Sequence, residues 1–269
     1  MRFQVTLALA AALAVLLGAA VGAQAATAPG LLTKIPTAAE RSSGYDRNSF
    51  KHWTAVPGKG CDTRDWVLYR QNQARPKSCG DRTGRWVSVY DRRWFTYAGD
   101  LDIDHLVPLA EAFTSGAFRW TAKQRERFAN DLFRFSLIAV SASSNRSKSD
   151  KDPAEWLPPN RGFRCKYVAR WTAVKYRWRL AVDRAERRAI RTQLAGCPRR
   201  SLQLGQVPRV KVPAAQSGGG GGGGGGKTDP RFPSCAKAIA AGYGPYLKGI
   251  HPEYYWYRDA DGDGVVCES

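Results

Sequence analysis

Asp104 and His105 stand side by side in LDIDHLVPLAEAF (101–113), and Asn145, Arg146 and Lys148 stand together in LIAVSASSNRSKSDKDP (137–153). These types form a set suited to one kind of reaction. A carboxylate and an amide oxygen are hard ligands, such as Mg²⁺ takes while keeping several waters. A neutral imidazole can activate water near neutral pH. An ammonium or guanidinium can stabilise charge gathering on a phosphate. Asp104, Asn145, His105 and Lys148 or Arg146 would therefore supply the parts of metal-assisted phosphodiester hydrolysis. The plain reading stands beside this one: Asp-His pairs are common, and Ser-Asn-Arg-Ser-Lys is an ordinary capped helix start.

Such a site needs elements to hold it. Leu101, Ile103, Leu106 and Val107 read as a strand, and adjacency on a strand sends Asp104 and His105 to opposite faces. Leu137 to Val140 is a second apolar run, and Ser141 reads as the N-cap of a short helix carrying Asn145, Arg146 and Lys148. The predicted order is strand, excursion, strand, short helix. The excursion holds two predicted helices, Pro108 to Phe113, ended by Gly116, and Thr121 to Asn130.

DIDHLVPL, NDL (130–132) and LIAVSASSNRSKSDKDPAEW together resemble the HNH, or ββα-metal, endonuclease family, most closely its secreted actinobacterial members. The pattern is also similar to the HNH domain of RNA-guided CRISPR nucleases. The resemblance runs from about Gly44 to Cys197. It implies a ββα-metal core within an α+β domain with added helices, Asp104 as metal carboxylate, His105 as general base and Asn145 as a further metal ligand. Asn130 takes the middle position, which fixes the loop and orients the histidine. Asn145 replaces the final His of the family's name, which favours Mg²⁺ or Mn²⁺ over Zn²⁺ or Ni²⁺.

Met1 to Ala25 reads as a signal peptide: Arg2, an apolar stretch from Val5 to Ala20, then Ala23-Gln24-Ala25 as the cleavage pattern. No later segment has the roughly 20 apolar residues of a spanning helix. A secreted protein without a membrane span in its mature form is expected. Six cysteines suit an oxidising compartment. They allow fifteen pairings; domain order favours Cys61–Cys79, Cys165–Cys197 and Cys235–Cys267. The absence of C-x-x-C argues against a zinc cluster.

The net charge is +19, and it is unevenly spread. From Lys227 onward five basic residues face six acidic ones, a net −1, so the rest carries +20. A domain this basic calls for a polyanion, and nucleic acid, DNA before RNA, is the expected partner. Arg146, Arg64 and Lys175 are the candidate contacts to it. Arg64 lies in GCDTRDWVLYRQN, where Asp62 caps a predicted helix. Lys175 lies in a predicted helical region, Gly162 to Cys197, whose apolar face is Tyr167, Trp171, Val174 and Trp178. Arg85–Tyr90 and Trp94–Ala98 read as two short strands whose aromatics suit sheet packing better than base stacking.

Residues 26–43 have little pattern and read as a loose leader, and residues 201–231 as a flexible linker containing nine consecutive glycines. The end of the chain carries Asp259, Asp261 and Asp263 at alternate positions, then Gly264, with Glu268 close behind. Residues 232–268 resemble the excalibur extracellular calcium-binding domain, which implies Ca²⁺ on Asp259, Asp261, Asp263 and Glu268. The expected organisation is signal peptide (1–25), leader (26–43), HNH nuclease domain (44–200), linker (201–231) and disulfide-clamped calcium module (232–269). The expected function is a secreted endonuclease of low sequence specificity. The alternative is a non-catalytic secreted protein that binds nucleic acid or the cell wall. A cell-surface ligand for the C-terminal module stays open.

Overall fold

The computed structural model describes residues 25–41, 43–215, 231–240, 246–247, 252–260 and 265–267. The predicted signal peptide, apart from Ala25, and the glycine run lie outside them. The architecture is mixed, with short two-stranded sheets among helices. In chain order its elements are β1 (Ala26–Thr27), α1 (Ala28–Leu32), α2 (Thr63–Gln71), β2 (Thr83–Val87), β3 (Trp94–Tyr97), β4 (Leu101–His105), α3 (Leu109–Thr114) and α4 (Ala122–Ala129). Then come β5 (Leu137–Ser141), α5 (Ala142–Lys148), α6 (Arg161–Arg177), α7 (Arg184–Ala195), α8 (Arg199–Leu202) and β6 (Gln203–Gly205).

β4 and β5 pair antiparallel, Leu101 opposite Ser141 and His105 opposite Leu137. Period-two alternation gives this ribbon two different sides. Leu101, Ile103, Leu137 and Ala139 face a small core with Val67, Leu68 and Trp86 from α2 and β2. Ile138 and Val140 face the main core, which includes Tyr167, Trp171 and Trp178 from α6 and its end. Paired residues share a side, so Asp102 and Asp104, opposite Val140 and Ile138, point the second way. The Ser141 hydroxyl accepts from the Ser144 amide and starts α5 directly after β5. β4, β5 and α5 thus form a ββα unit.

Caps set the surrounding helices. Asp62 caps α2, and Thr121 with Gln124 forms a capping box on α4, which ends at Asn130. The predicted helical region 162–197 is two helices. Trp178 ends α6, Arg179 takes a left-handed φ of 56°, and Asp183 caps α7. The structure pairs Cys61 with Cys79, Cys165 with Cys197, and Cys235 with Cys267.

Three sequence expectations are corrected. Residues 26–43 are no loose leader: Ala28, Leu31, Leu32 and Ile35 are buried in the main core, and β1 pairs with β6. The first half of the predicted linker is docked too, with Leu204, Val210 and Val212 buried against the same core. Leu204, Val210 and Val212 follow no period, whereas Ala28, Leu31, Leu32 and Ile35 stand at i, i+3, i+4 and i+7, the spacing of one helix face. Lys175, expected to contact nucleic acid from α6, is fully buried. Its ammonium donates to Glu111 and, at 3.1 Å, to Glu186, so it is a core charge and not a phosphate contact.

In the C-terminal segment, Cys235–Ala240 forms a helix and Tyr246–Leu247 pairs with Val265–Val266. Ala238, Tyr246, Tyr254 and Val266 make a small core beside the Cys235–Cys267 bridge. Asp259 Oδ2 accepts from the Tyr254 hydroxyl at 2.7 Å. Asp261, Asp263 and Glu268 lie outside the described residues.

Candidate active site

The end of β4 reaches a polar cleft of about 250 Å³ lined in part by Arg47, Asp104, His105, Asn145, Arg146 and Asp150. Asp104 is 5% exposed. Its Oδ1 accepts from Lys148 Nζ at 2.8 Å and its Oδ2 from the Tyr90 hydroxyl at 2.6 Å. Burial pushes the Asp104 carboxyl upward, while the Lys148 charge and these two bonds pull it back. Tyr90 is pushed well above its ordinary range, first by burial and then by Asp104, so it remains a proton donor.

His105 points to the other side of β4. Its Nε2 lies 2.8 Å from the Ala129 carbonyl oxygen. A carbonyl only accepts, so Nε2 carries the hydrogen and Nδ1 keeps a free lone pair in the neutral ring. The imidazole stacks on Trp53, centroids 5.6 Å apart, with Phe128 on a nearly parallel plane at 6.5 Å. Burial holds its pKa down, opposed by the Ala129 bond, so the resting ring is neutral at ordinary pH.

Asn130 is the C-cap of α4, one residue past that carbonyl. Its Oδ1 accepts from the Thr54 amide at 2.9 Å. Its Nδ2 donates to the Lys51 and Glu126 carbonyls, each at 2.8 Å. One side chain thereby ties α4 to the 51–54 loop, whose Trp53 covers His105 at a left-handed φ of 57°. Asn145 is anchored from β4: its Nδ2 donates to Asp102 Oδ2 at 3.0 Å. Among the described residues Asn145 Oδ1 has no hydrogen-bond partner, which leaves it available on the cleft.

Asp104, His105, Asn145 and Arg146 are therefore brought together, with Asn130 behind the histidine. Two other sequence expectations are corrected. Lys148 is fully buried, spent on Asp104 and, at 3.0 Å, on the His105 carbonyl. It cannot meet a phosphate. Arg64 is half-buried and donates to the carbonyls of Ala98 and Leu101, at 3.4 and 3.2 Å, so it braces the start of β4. Sequence reasoning missed Asp102, Tyr90 and Trp53 as partners, and Asp150 on the cleft rim. The alternation of Asp102 with Asp104 was the available signal for the first.

The oxygens on the cleft suit a hard divalent cation. Each Asp104 oxygen keeps a spare lone pair beside its one bond, and Asn145 Oδ1 is free, with the remaining positions left to water.

Comparisons with known proteins fit around this geometry. Residues 64–193 match the family described as GmrSD restriction endonucleases, C-terminal domain, and residues 232–268 match the Excalibur calcium-binding domain. An uncharacterized secreted protein of Arthroderma benhamiae is 41% identical over 176 residues, 64% of this chain and 86% of that protein. The chain belongs to that protein's family. The first match spans α2 to α7, and so all of the ββα unit and its cleft. The second spans the Cys235–Cys267 bridge and the acidic loop. No solved structure matches the chain. No helix among the described residues is long and apolar enough to cross a membrane.

Proposed function

We propose that this protein is a secreted, metal-dependent endonuclease of the HNH type that hydrolyses phosphodiester bonds, DNA before RNA, with low sequence specificity. The observation that carries this reading is the convergence of His105, the Asp104 carboxylate and the free Asn145 amide oxygen on one cleft. The match to a restriction-endonuclease domain over residues 64–193 supports it.

In this reading Asp104 and Asn145 hold Mg²⁺ or Mn²⁺. The bound ion would supply charge stabilisation at the phosphate and leaving oxygen. His105 Nδ1 accepts a proton from the attacking water while Nε2–H stays on the Ala129 carbonyl, so the ring does not swing as it takes charge. Trp53 and Asn130 keep that orientation. Arg47 and Arg146, both on the cleft, hold the scissile phosphate and oppose the negative charge that grows on it. Lys148 and Tyr90 act one layer behind, fixing the Asp104 carboxylate and offsetting part of its charge.

The C-terminal segment, by its match and its acidic loop, is proposed to hold Ca²⁺ through Asp259, Asp261, Asp263 and Glu268. The likeness to a secreted protein and the apolar run of residues 5–20 support export.

Digestion of plasmid and of RNA by the purified mature protein, with Mg²⁺ and with EDTA, tests the reading. Cleavage that EDTA abolishes and His105→Ala removes is expected. Tight DNA binding without cleavage under any divalent metal would favour the non-catalytic alternative.

A further inference from the structure

The β2–β3 hairpin carries two tryptophans in opposite situations. Trp86 is 1% exposed and its indole donates to the Leu68 carbonyl at 2.9 Å. Trp94 is 54% exposed, and Tyr97 is 51% exposed three residues on. The register explains the split. Trp86 pairs with Phe95 on the buried side, while Trp94, opposite Val87, takes the other. The packing of these strands therefore accounts for Trp86 and leaves Trp94 outside the core.

What surrounds Trp94 is basic. The Arg85 guanidinium lies 4.5 Å from the Trp94 ring centroid, covering one face of the indole. The ring's high exposure leaves surface for a second stacking partner. Arg92 and Arg93, in the turn between the strands, are also exposed. Among the described residues no carboxylate forms an ion pair with Arg85, Arg92 or Arg93.

The hairpin is also fastened to the candidate active site. Asp91 accepts from the hydroxyls of Ser141 and, at 3.0 Å, Ser144. Arg93 Nη1 donates to Ser143 Oγ at 3.3 Å. Asn145, on the cleft, directly follows Ser144. The turn beside Trp94 thus sits on the first turn of α5, the helix that edges the cleft.

We propose that this hairpin is the docking platform for an unpaired nucleic-acid strand. A base stacks on the open face of Trp94, and Arg85 and Arg92 meet the phosphates. Every base has a π-face, so such a platform takes strands without reading sequence, whereas a duplex keeps its base faces stacked inside. The inference rests on the nuclease reading of the neighbouring cleft and deepens it by naming the substrate class: strands with unpaired bases beside the bond that is cut.

Fluorescence anisotropy with labelled oligo-dT and with a labelled duplex, both in EDTA, tests the platform without any cleavage. Trp94→Ala should weaken oligo-dT binding roughly 5- to 150-fold, the range for one lost base–aromatic stack, and leave duplex binding essentially unchanged. Trp94→Phe should restore most of the affinity, and an unchanged melting midpoint of Trp94→Ala shows that the fold is kept. Unaltered oligo-dT binding by Trp94→Ala overturns the proposal. So does an equal loss on both probes, which would reduce the hairpin to a general charged surface. Digestion of single-stranded DNA and of plasmid with Mg²⁺ separates the two readings: a parental protein that cuts neither but binds oligo-dT through Trp94 defeats the nuclease reading alone. One that cuts while Trp94 is irrelevant to binding defeats the platform alone.

Discussion

Lys148→Met separates a lysine that meets substrate from one that holds Asp104. Lys148 is 0% exposed, and its ammonium has Asp104 Oδ1 at 2.8 Å and the His105 carbonyl at 3.0 Å. Methionine fills similar space but leaves the Asp104 carboxylate buried with Tyr90 as its one remaining side-chain donor. Removing one partner of a buried ion pair typically costs about 3–5 kcal/mol, mostly the uncompensated charge left behind. For a domain of this size each kcal/mol lowers the melting midpoint by roughly 2–4 °C, so a fall of about 6–20 °C is expected. Asp104→Asn in the same chain removes the orphaned charge and should recover part of that fall, a coupling of about 0.5–3 kcal/mol in a double-mutant cycle. The assay is thermal melting by circular dichroism for the parent, both single variants and the double variant. Cleavage is read at a temperature where all four are folded. If Lys148→Met melts with the parent while cleavage is lost, the lysine reaches substrate and the positioning account is refuted.

Further outcomes follow from the same geometry. His105→Ala should lower cleavage on the order of 10²- to 10⁴-fold with oligonucleotide binding retained; parental rates would remove the histidine from the chemistry. Asn130→Ala should cost about 3 kcal/mol for its three hydrogen bonds and lower kcat more than it raises KM, since it acts through Trp53 and the Ala129 carbonyl; a pure KM effect would contradict that. Burial holds the Glu186 carboxyl up at about 8 despite Lys175, so the unfolded chain sheds that proton first as pH rises. Stability should therefore decline between pH 6.5 and 8, above the range in which buried neutral His105 adds stability with rising pH; burial and Glu111 hold Glu40 up at about 9 as well, so Glu186→Gln should lessen the decline and the Glu40→Gln, Glu186→Gln double variant should flatten it. A chain ending at Ser217 should melt and cut like the full protein, whereas one ending at Arg200 should lose several kcal/mol, because Leu204, Val210 and Val212 are core residues worth about 1.5–3 kcal/mol each. Equal stability of the two truncations would show that the 201–215 segment is a tether after all.

The ββα unit was legible from the sequence because its signals are local. Ser141 caps α5 through an amide three residues away, Thr121 and Gln124 cap each other, and the apolar alternation of β4 and β5 sets their buried sides. The adjacency of Asp104 and His105 on a strand already sent them to opposite faces. What lies beyond about one helical turn was decided by the tertiary structure. Lys148 and Arg146 stand two residues apart on α5, yet one is buried and the other lines the cleft, because Asp104 waits 44 residues upstream of the first. Lys175 reads as an outward base in its helix, but Glu111 lies 64 residues away in sequence and Glu186 one helix later, and together they make a charge affordable in the core. Trp86 and Trp94 are the same residue type in one hairpin, and only the ladder register says which is covered. The segment 201–215 carries too few apolar residues to show a period, whereas Ala28, Leu31, Leu32 and Ile35 stand at i, i+3, i+4 and i+7, a helical spacing too short to show what it packs against; each segment is held by a core and a short strand pairing contributed by distant parts of the chain. A single strand or helix sets the direction of a side chain; only the partners that folding brings from far along the chain decide whether it meets water, a counter-charge or a ring.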